Sequence, residues 1–346
     1  MVVSIKDVAR EAGVSHTTVS RALRGSPHIS FDTTKRIQQL ASEMGYEPSA
    51  AARSLKTNRS QVLGVIVSSI DDPFFSEILQ GIDDIALQKG YSLFIAASQR
   101  DRQREKAIVR TMREHRVDGV IICSSPFSIE QSHHLSTFEI PIVIINNQSE
   151  EDHQYSIYHD DLHGSRQVMK HLIDLGHKRI GYLGYSHAGR TDIKRLTGYQ
   201  EQMKAAGLTI KDGYIIEADS SDLNCGKTLA QQFLSLPHPP TAIFCFNDLL
   251  AIGLMHGLQE EGIHIPEEIS IAGFDNISYS AYTNPPLTTF DQPKRSIGTK
   301  AAELVLSILN DNQEQEMEIK IQLLQGSLLV RKSTGKPGWK GNHDQA

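Results

Sequence analysis

A repeated rhythm constrains this chain more than any other feature. Short apolar runs at 62 to 67, 91 to 97, 117 to 123 and 140 to 145 alternate with helical patterns at 74 to 89, 101 to 115 and 128 to 137. Runs such as "VLGVIV" and "GVIIC" show no polar alternation, so both faces of each strand need cover. Helical segments stand where hairpin turns would be, which leaves a parallel sheet with crossover helices on both sides. After "YSIYHDDLHG" the rhythm restarts, with strands expected at 179 to 184, 213 to 218, 241 to 246 and 269 to 273. Helices are expected at 162 to 175, 192 to 206, 223 to 235 and 249 to 261. Two series of similar size predict an α/β body of two doubly wound parallel sheets. Beyond "PPLTTFDQP" come a helix over 294 to 309 and a terminal strand pair in "EIKIQLLQGSLLVRKS", and the closing "GKPGWKGNHDQA" reads as disordered.

The first 46 residues follow another rule. "IKDVAREA", 5 to 12, places Ile5, Val8, Ala9 and Ala12 on one face, with Gly13 as a left-handed stop. A second helix over 16 to 24 turns Val19, Ala22 and Leu23 inward behind Ser15 as N-cap. A third, 32 to 44, carries Ile37, Leu40, Ala41 and Met44 and is closed by Gly45. Residues 1 to 60 hold nine Lys and Arg against five acids, net +4, which leaves −10 on the remainder of a chain whose total is −6. A basic head on an acidic body suggests that the head meets a polyanion. The N-terminus lacks an apolar run of signal-peptide length, and no run approaches the roughly 18 residues that span a bilayer, so a cytoplasmic location without membrane contact is expected. Cys123, Cys225 and Cys245 lack CxxC spacing and read as reduced core residues.

"IKDVAREAGVSHTTVSRAL" has what a helix-turn-helix requires: small Ala9 where two helices touch, Gly13 in the turn, and Val14 and Val19 sealing the junction. The second helix then offers Ser15, His16, Thr17, Ser20 and Arg21 from its first turns, the part of a recognition helix that meets base edges. Arg21 can grip a guanine through two hydrogen bonds. An ordinary charged helical hairpin is the competing reading.

These residues carry a resemblance. "IKDVAREAGVSHTTVSRALRG" and "GYEPSAAARSLKT" resemble the headpiece of the lactose/galactose repressor (LacI/GalR) family of bacterial transcription regulators. "HKRIGYLG", "RLTGYQEQMKAAG", "PTAIFCFNDLLAIG", "IPEEISIAGFDN", "PPLTTFDQP" and "LLVRKST" resemble its effector domain in the same order, so that the likeness runs from about 4 to 334. It implies a headpiece over 1–46, a hinge helix and linker over 47–60, and a periplasmic-binding-protein-like body over 61–334 with a tail at 335–346. Within the body it implies an N-subdomain of 61–160 plus 291–320 and a C-subdomain of 161–290 plus 321–334. The family's hinge helices fold in pairs in the DNA minor groove, each inserting a leucine, and Leu55 takes that position between Ala52 and Lys56. A helix of this length is marginal in water, in keeping with folding only on a partner and DNA. The implied partners are double-stranded operator DNA, a second copy of the chain and a small-molecule effector, sugar-like in class.

In doubly wound folds ligands sit at the carboxyl ends of strands. That rule selects Asp72, Phe74 and Phe75 in "SSIDDPFFSEI", Asn146, Asn247 in "FCFND" and Asp275 in "GFDN", where acids beside aromatic faces suit a polyhydroxylated ligand. The resemblance adds Thr191, Arg195 and Gln292 to the effector pocket. Two departures stand out: Ser220 lies where many members carry an aromatic, and Asn146 where many carry an acid. Another sugar, a sugar phosphate or an unrelated small molecule are the alternatives this leaves.

His159, Asp160, Asp161 and His163 in "YHDDLHG" have the composition of a metal site, but a strand end followed by a helix start needs capping acids, and neither metal nor cofactor is expected. GxSxG, HExxH, P-loop and GxGxxG patterns are missing, so the chain does not read as an enzyme. The alternative function is a cytoplasmic small-molecule-binding protein of the same fold without control of DNA.

Overall fold

The computed structural model describes residues 3–46, 59–123, 140–146, 155–310 and 320–338. The chain divides into two compact units, Met1–Gln61 and Val62–Ala346.

The first unit holds α1 (Ile5–Ala12), α2 (His16–Ala22) and α3 (Phe31–Glu43). Each start is capped locally. Ser4 and Asp7 form a reciprocal capping box, Ser15 Oγ accepts from the Thr18 amide at 3.1 Å, and Ser30 Oγ accepts from the Thr33 amide at 3.4 Å. Gly13, at φ 65°, ends α1 in the left-handed conformation and sends its amide back to the Ala9 and Arg10 carbonyls. Val8, Ala9, Ala12, Val19, Ala22, Ile37 and Ala41 form the core, the face expected from their spacing. Arg36 Nη2 donates to the Ala12 carbonyl at 3.1 Å and closes the α1 end from α3.

In the second unit, the first sheet contains β1 (Val62–Val67), β2 (Ser92–Ala97), β3 (Gly119–Cys123), β4 (Ile142–Ile145), β5 (Tyr155–His159) and β11 (Lys320–Leu324). Its order is β11-β5-β4-β3-β1-β2, and every pair is parallel. The second contains β6 (Ile180–Tyr185), β7 (Ile215–Ala218), β8 (Ala242–Cys245), β9 (Ser270–Asp275), β10 (Thr288–Asp291) and β12 (Ser327–Leu329), in the order β12-β10-β9-β8-β6-β7. Only β10 and β12 pair antiparallel. Helices α4 (Phe74–Gln88), α5 (Arg102–Glu114) and α11 (Lys294–Asn310) serve the first sheet, and α6 (Asp161–Asp174), α7 (Arg190–Ala205), α8 (Leu223–Thr228), α9 (Ala230–Leu234) and α10 (Asp248–Glu260) the second. Helices α4 and α11 touch backbone to backbone. A Cβ on Gly298 would lie 2.0 Å from the Ile78 carbonyl, and one on Gly81 would lie 2.2 Å from that of Arg295.

The chain crosses between the sheets at His159 to Asp161, at Asp291 to Lys294 and at Leu324 to Ser327. Here the structure corrects three expectations. The two closing strands do not pair with each other. β11 runs parallel to β5 in the first sheet, so residues 321–324 belong with the N-subdomain, while β12 joins β10 in the second. Residues 335–338 are not a loose tail: the Gly335 carbonyl accepts from His177 Nε2 at 2.8 Å, and its amide donates to Ser270 Oγ at 3.0 Å. The helix expected over 223 to 235 is two, α8 and α9, broken at Leu229. The expected hinge with Ala52, Leu55 and Lys56, the helix at 128 to 137 and the end of the tail lie outside the described residues. No helix among the described residues is long and apolar enough to cross a membrane. Cys123 and Cys245 are buried and Cys225 half-buried, all as free thiols, and burial pushes the Cys123 thiol up to about 12.

Candidate functional site

Each sheet has a point where the chain leaves one strand in opposite directions along the sheet, beside β1 in the first and beside β6 in the second. Loops splay apart at such points, and ligands bind outside the carboxyl ends there. In the second unit those loops enclose a cleft of about 490 Å³. From the first sheet it is lined by Asp72, Phe74 and Phe75 after β1, Gln99, Arg100 and Arg102 after β2, Asn146 after β4 and His159 at the end of β5. The second sheet supplies Tyr185, His187, Ala188, Thr191 and Arg195 after β6, Phe246 and Asn247 after β8, and Asp275 at the end of β9.

Arg195 is the electrostatic centre. Its guanidinium is almost wholly buried, Nε donates to Asp161 Oδ1 at 2.7 Å, Nη1 donates to the Phe246 carbonyl, and Nη2 lies 3.7 Å from Asp275 Oδ1. The planar cation also lies against two rings, 3.8 Å from the Phe274 centroid and 4.5 Å from that of Phe246. Burial pushes the Asp161 carboxyl up to about 6, against the pull of Arg195, and raises Asp275 well above the carboxylate range. His159 Nδ1 stands 3.2 Å from Asp161 Oδ1 without the alignment of a hydrogen bond, and burial, followed by the Arg195 charge, holds the imidazole neutral.

The remaining expected residues divide by how much of each is already committed. Asp72 Oδ1 accepts from the Phe74 amide at 3.0 Å, and burial raises its carboxyl. Phe74 and Phe75 meet edge to face at 5.2 Å and belong at once to the hydrophobic core and the cleft wall. Asn247 caps α10 through the Leu250 amide at 2.9 Å and gives its amide hydrogen to the Ser221 carbonyl at 3.1 Å. Asn146, at φ 49°, accepts from the His159 amide at 3.3 Å. Gln292 departs from the expectation. It does not line the cleft but stands behind it, Nε2 donating to Asp275 Oδ1 at 2.5 Å, and so orients the carboxylate that does. Lys294, buried at the second crossover, works from the same side: Nζ donates to the Asp275 carbonyl at 2.5 Å and to that of Asn276 at 3.1 Å. Ser220 is taken up by Asp222, which caps α8. Asp160 likewise caps α6, donated to by the His163 amide at 3.0 Å, and no metal-binding cluster occurs among the described residues.

Sequence reasoning missed Gln99, Arg100, Arg102, Tyr185, His187 and Phe246. All lie at strand ends or a few residues past them, so the same carboxyl-end rule applied to every strand finds them. Asp161 and His159 were noticed, but the role of Asp161 as the partner of Arg195 could not be seen across 34 residues.

On the head, the candidate recognition surface is the solvent side of α2. His16, Thr17 and Arg21 are exposed, whereas Ser15 is spent on the cap and Ser20 Oγ accepts from Arg24 Nη2 at 2.6 Å.

Comparison with known proteins agrees with both halves. Residues 4–49 match the family described as bacterial regulatory proteins, lacI family, and residues 60–331 match periplasmic binding proteins and sugar binding domain of LacI family. A relative named HTH-type transcriptional repressor PurR, from Aliivibrio salmonicida, is 34% identical over 334 residues, 96% of this chain and 99% of the relative. The lac repressor dimer bound to operator and the anti-inducer ONPF superposes with a TM-score of 0.85 at 27% identity, over 97% of this chain and 100% of that one. A LacI family transcriptional regulator from Enterococcus faecium with bound ribose gives 0.69 at 27% identity, over 80% of this chain and 99% of that one. A DNA-binding head and a ligand-cleft body, each matched to its own half of one family, make this chain a member of the lacI family of bacterial regulatory proteins.

Proposed function

We propose that the protein is a transcriptional repressor that binds a near-palindromic operator as a homodimer and responds to a small hydroxylated effector, sugar-like in class, held in the cleft. One observation carries this reading: a basic helix-turn-helix with exposed His16, Thr17 and Arg21 is joined in one chain to a cleft of about 490 Å³ whose polar groups converge from both sheets. The relative from Aliivibrio salmonicida is named as a repressor, the lac repressor is a dimer on its operator, and the Enterococcus faecium regulator holds ribose, which supports the same reading.

The mechanism follows from the crossovers. The cleft draws on loops of both sheets, so a ligand that binds one relative angle of the subdomains more tightly shifts the population toward it. Three connections join the sheets, and the chain leaves the first sheet for the head at β1. A change of angle therefore alters the spacing of two heads in a dimer, and with it the fit to two half-sites. By linkage, an effector that weakens operator binding is itself bound less tightly by the operator complex. The hinge, with Leu55 as a minor-groove wedge, completes this proposal. The protein acts by binding, without catalysis, in the cytoplasm.

Selection of sites from a random duplex pool by the full chain tests it. The expected outcome is a two-fold symmetric site whose band shift responds to a cleft ligand. If no sequence is enriched, the alternative of a ligand-binding protein without DNA control takes its place.

A further inference from the structure

The cleft contains charge that the account above does not use. Arg195 is matched by Asp161 and Asp275. Neither Arg100 nor Arg102 forms an ion pair among the described residues, although the Arg100 charge acts on the buried Asp72 carboxyl; Arg100 lines the cleft from the loop between β2 and α5, and Arg102 from the first residue of α5. Arg100 reaches across to the other subdomain, its guanidinium 4.7 Å over the Tyr185 ring and Nη2 3.5 Å from Ser221 Oγ. The same ring meets His187, also on the cleft wall, edge to face at 5.7 Å.

The loop that presents the two arginines is built and held. The Ser98 amide donates to the Val67 carbonyl at 2.9 Å, the Gln99 amide donates to that of Ser68 at 2.8 Å, and Asp101 caps α5 through the Gln103 and Arg104 amides. Arg104 braces it from behind, Nε donating to the Ala97 carbonyl at 2.9 Å and Nη1 to Gln99 Oε1 at 2.8 Å. Gln99 and Arg100 take φ of 52° and 57°, two consecutive non-glycine residues in the left-handed region, where strain persists only when its surroundings over-determine it. Three arginines therefore have separate tasks: Arg104 holds the loop, while Arg100 and Arg102 face the cavity.

Resting on the effector reading above, we infer that the cleft takes a phosphorylated polyol, a phosphomonoester on a sugar ring, with Arg100 and Arg102 reading the phosphate and Asp72, Asn247 and Asp275 the hydroxyls. A neutral sugar would give the two exposed guanidiniums at the cleft wall no anion beyond Asp72, whereas a phosphate would meet both, in a body whose net charge of −10 otherwise repels anions. Guanidinium matches phosphate through paired, charge-assisted hydrogen bonds.

The experiment is calorimetric titration of the full chain with matched pairs: ribose and ribose 5-phosphate, glucose and glucose 6-phosphate, adenosine and adenosine monophosphate. The phosphorylated member of at least one pair is expected to bind ten-fold or more tightly than its parent, with the contrast shrinking as salt is added. The exposed double variant Arg100→Gln, Arg102→Gln should abolish that contrast while its unliganded melting temperature stays unchanged, and Arg100→Lys should restore part of it. The sugar and nucleoside arms identify the source of the phosphate. A parent that binds as well as its phosphate, or a contrast that survives the double variant, overturns the phosphate site and leaves the cleft reading intact. If no compound of either kind binds, this ligand class is wrong, whereas failure of the regulator reading would appear separately, as a missing operator in the site selection.

Discussion

Arg21 and Arg195 are the same residue on two helices, and the protein uses them in opposite ways. Arg21 lies in the last turn of α2, on the candidate recognition surface, with its side chain in solvent; Arg195 lies inside the body, 2% exposed, between two carboxyl groups and two rings. The head places its chemistry on a surface and keeps its core for holding three short helices. The body has made its site part of the core, where desolvation both strengthens and endangers every charge. Folding and recognition are therefore expected to separate by mutation in the head and to be coupled in the body.

The largest expected effect breaks that coupling from the body side. Arg195→Ala leaves the buried Asp161 carboxyl without its counter-ion and Asp275 and the Phe246 carbonyl without their cationic neighbour, and should cost about 3–5 kcal/mol of body stability. Urea unfolding of the full chain followed by circular dichroism measures it. Arg195→Lys should recover little, because an ammonium cannot reach Asp161 and the Phe246 carbonyl together while lying flat on the Phe274 ring. A loss below about 1 kcal/mol would mean that the network is no part of the fold.

Asp248 sharpens the comparison through pH. Its buried carboxylate accepts from Thr289 Oγ1 at 2.5 Å and from the Ile277 amide at 2.9 Å, yet burial pushes its folded-state pKa up to about 7 from the ordinary 3.8. The folded state then binds the proton more tightly than the unfolded state. The stability from this group is full below about pH 4 and is lost as pH rises toward about 7. Asp248→Asn removes that dependence, so the variant should gain on the parent by on the order of 2 kcal/mol between about pH 4.5 and 7. Parallel stability curves would show that the donors around Asp248 hold it ionised throughout. The head should contribute no comparable slope.

Within the head, Ser15→Ala removes the α2 cap and should cost about 1 kcal/mol. Amide hydrogen exchange can locate the loss: protection should fall in α1 to α3 and stay unchanged in the two sheets. If sheet protection fell equally, the division into two compact units would not describe how the chain opens.

The same contrast explains what could be read in the sequence. Ser15, Gly13 and Ser30 act on neighbours within a few residues, so the head's helices were legible to within a residue or two of their ends. The strand rhythm likewise gave both parallel sheets. It could not say where a terminal strand would pair, since "KIQLL" has the same apolar pattern whether it meets β12 in a hairpin or β5 in a sheet. The cleft was half legible. Strand ends pointed to Asp72, Asn247 and Asp275, but Asp161, seen only as a capping acid, is the main partner of Arg195, and Gln292 serves by orienting Asp275 from outside the cavity. Arg100 lay in a loop and Arg102 at a helix start, with no motif to mark either.

Arg21→Ala should have the smallest effect on folding, within about 0.5 kcal/mol, because its side chain is exposed and only its backbone takes part in the turn after α2. On DNA it should matter more. Loss of two hydrogen bonds to one guanine would cost about 1–3 kcal/mol of discrimination at a single base pair of each half-site and leave the other positions unchanged. Competition binding against a set of single-substituted operators separates this from a phosphate contact, which would weaken every operator alike and reduce the salt dependence. If Arg21→Ala unfolds the head, the surface is not independent of its core, and the contrast with Arg195 fails. A uniform loss across all operators would instead move the reading of sequence to His16 and Thr17, the two other exposed side chains on the same face of α2.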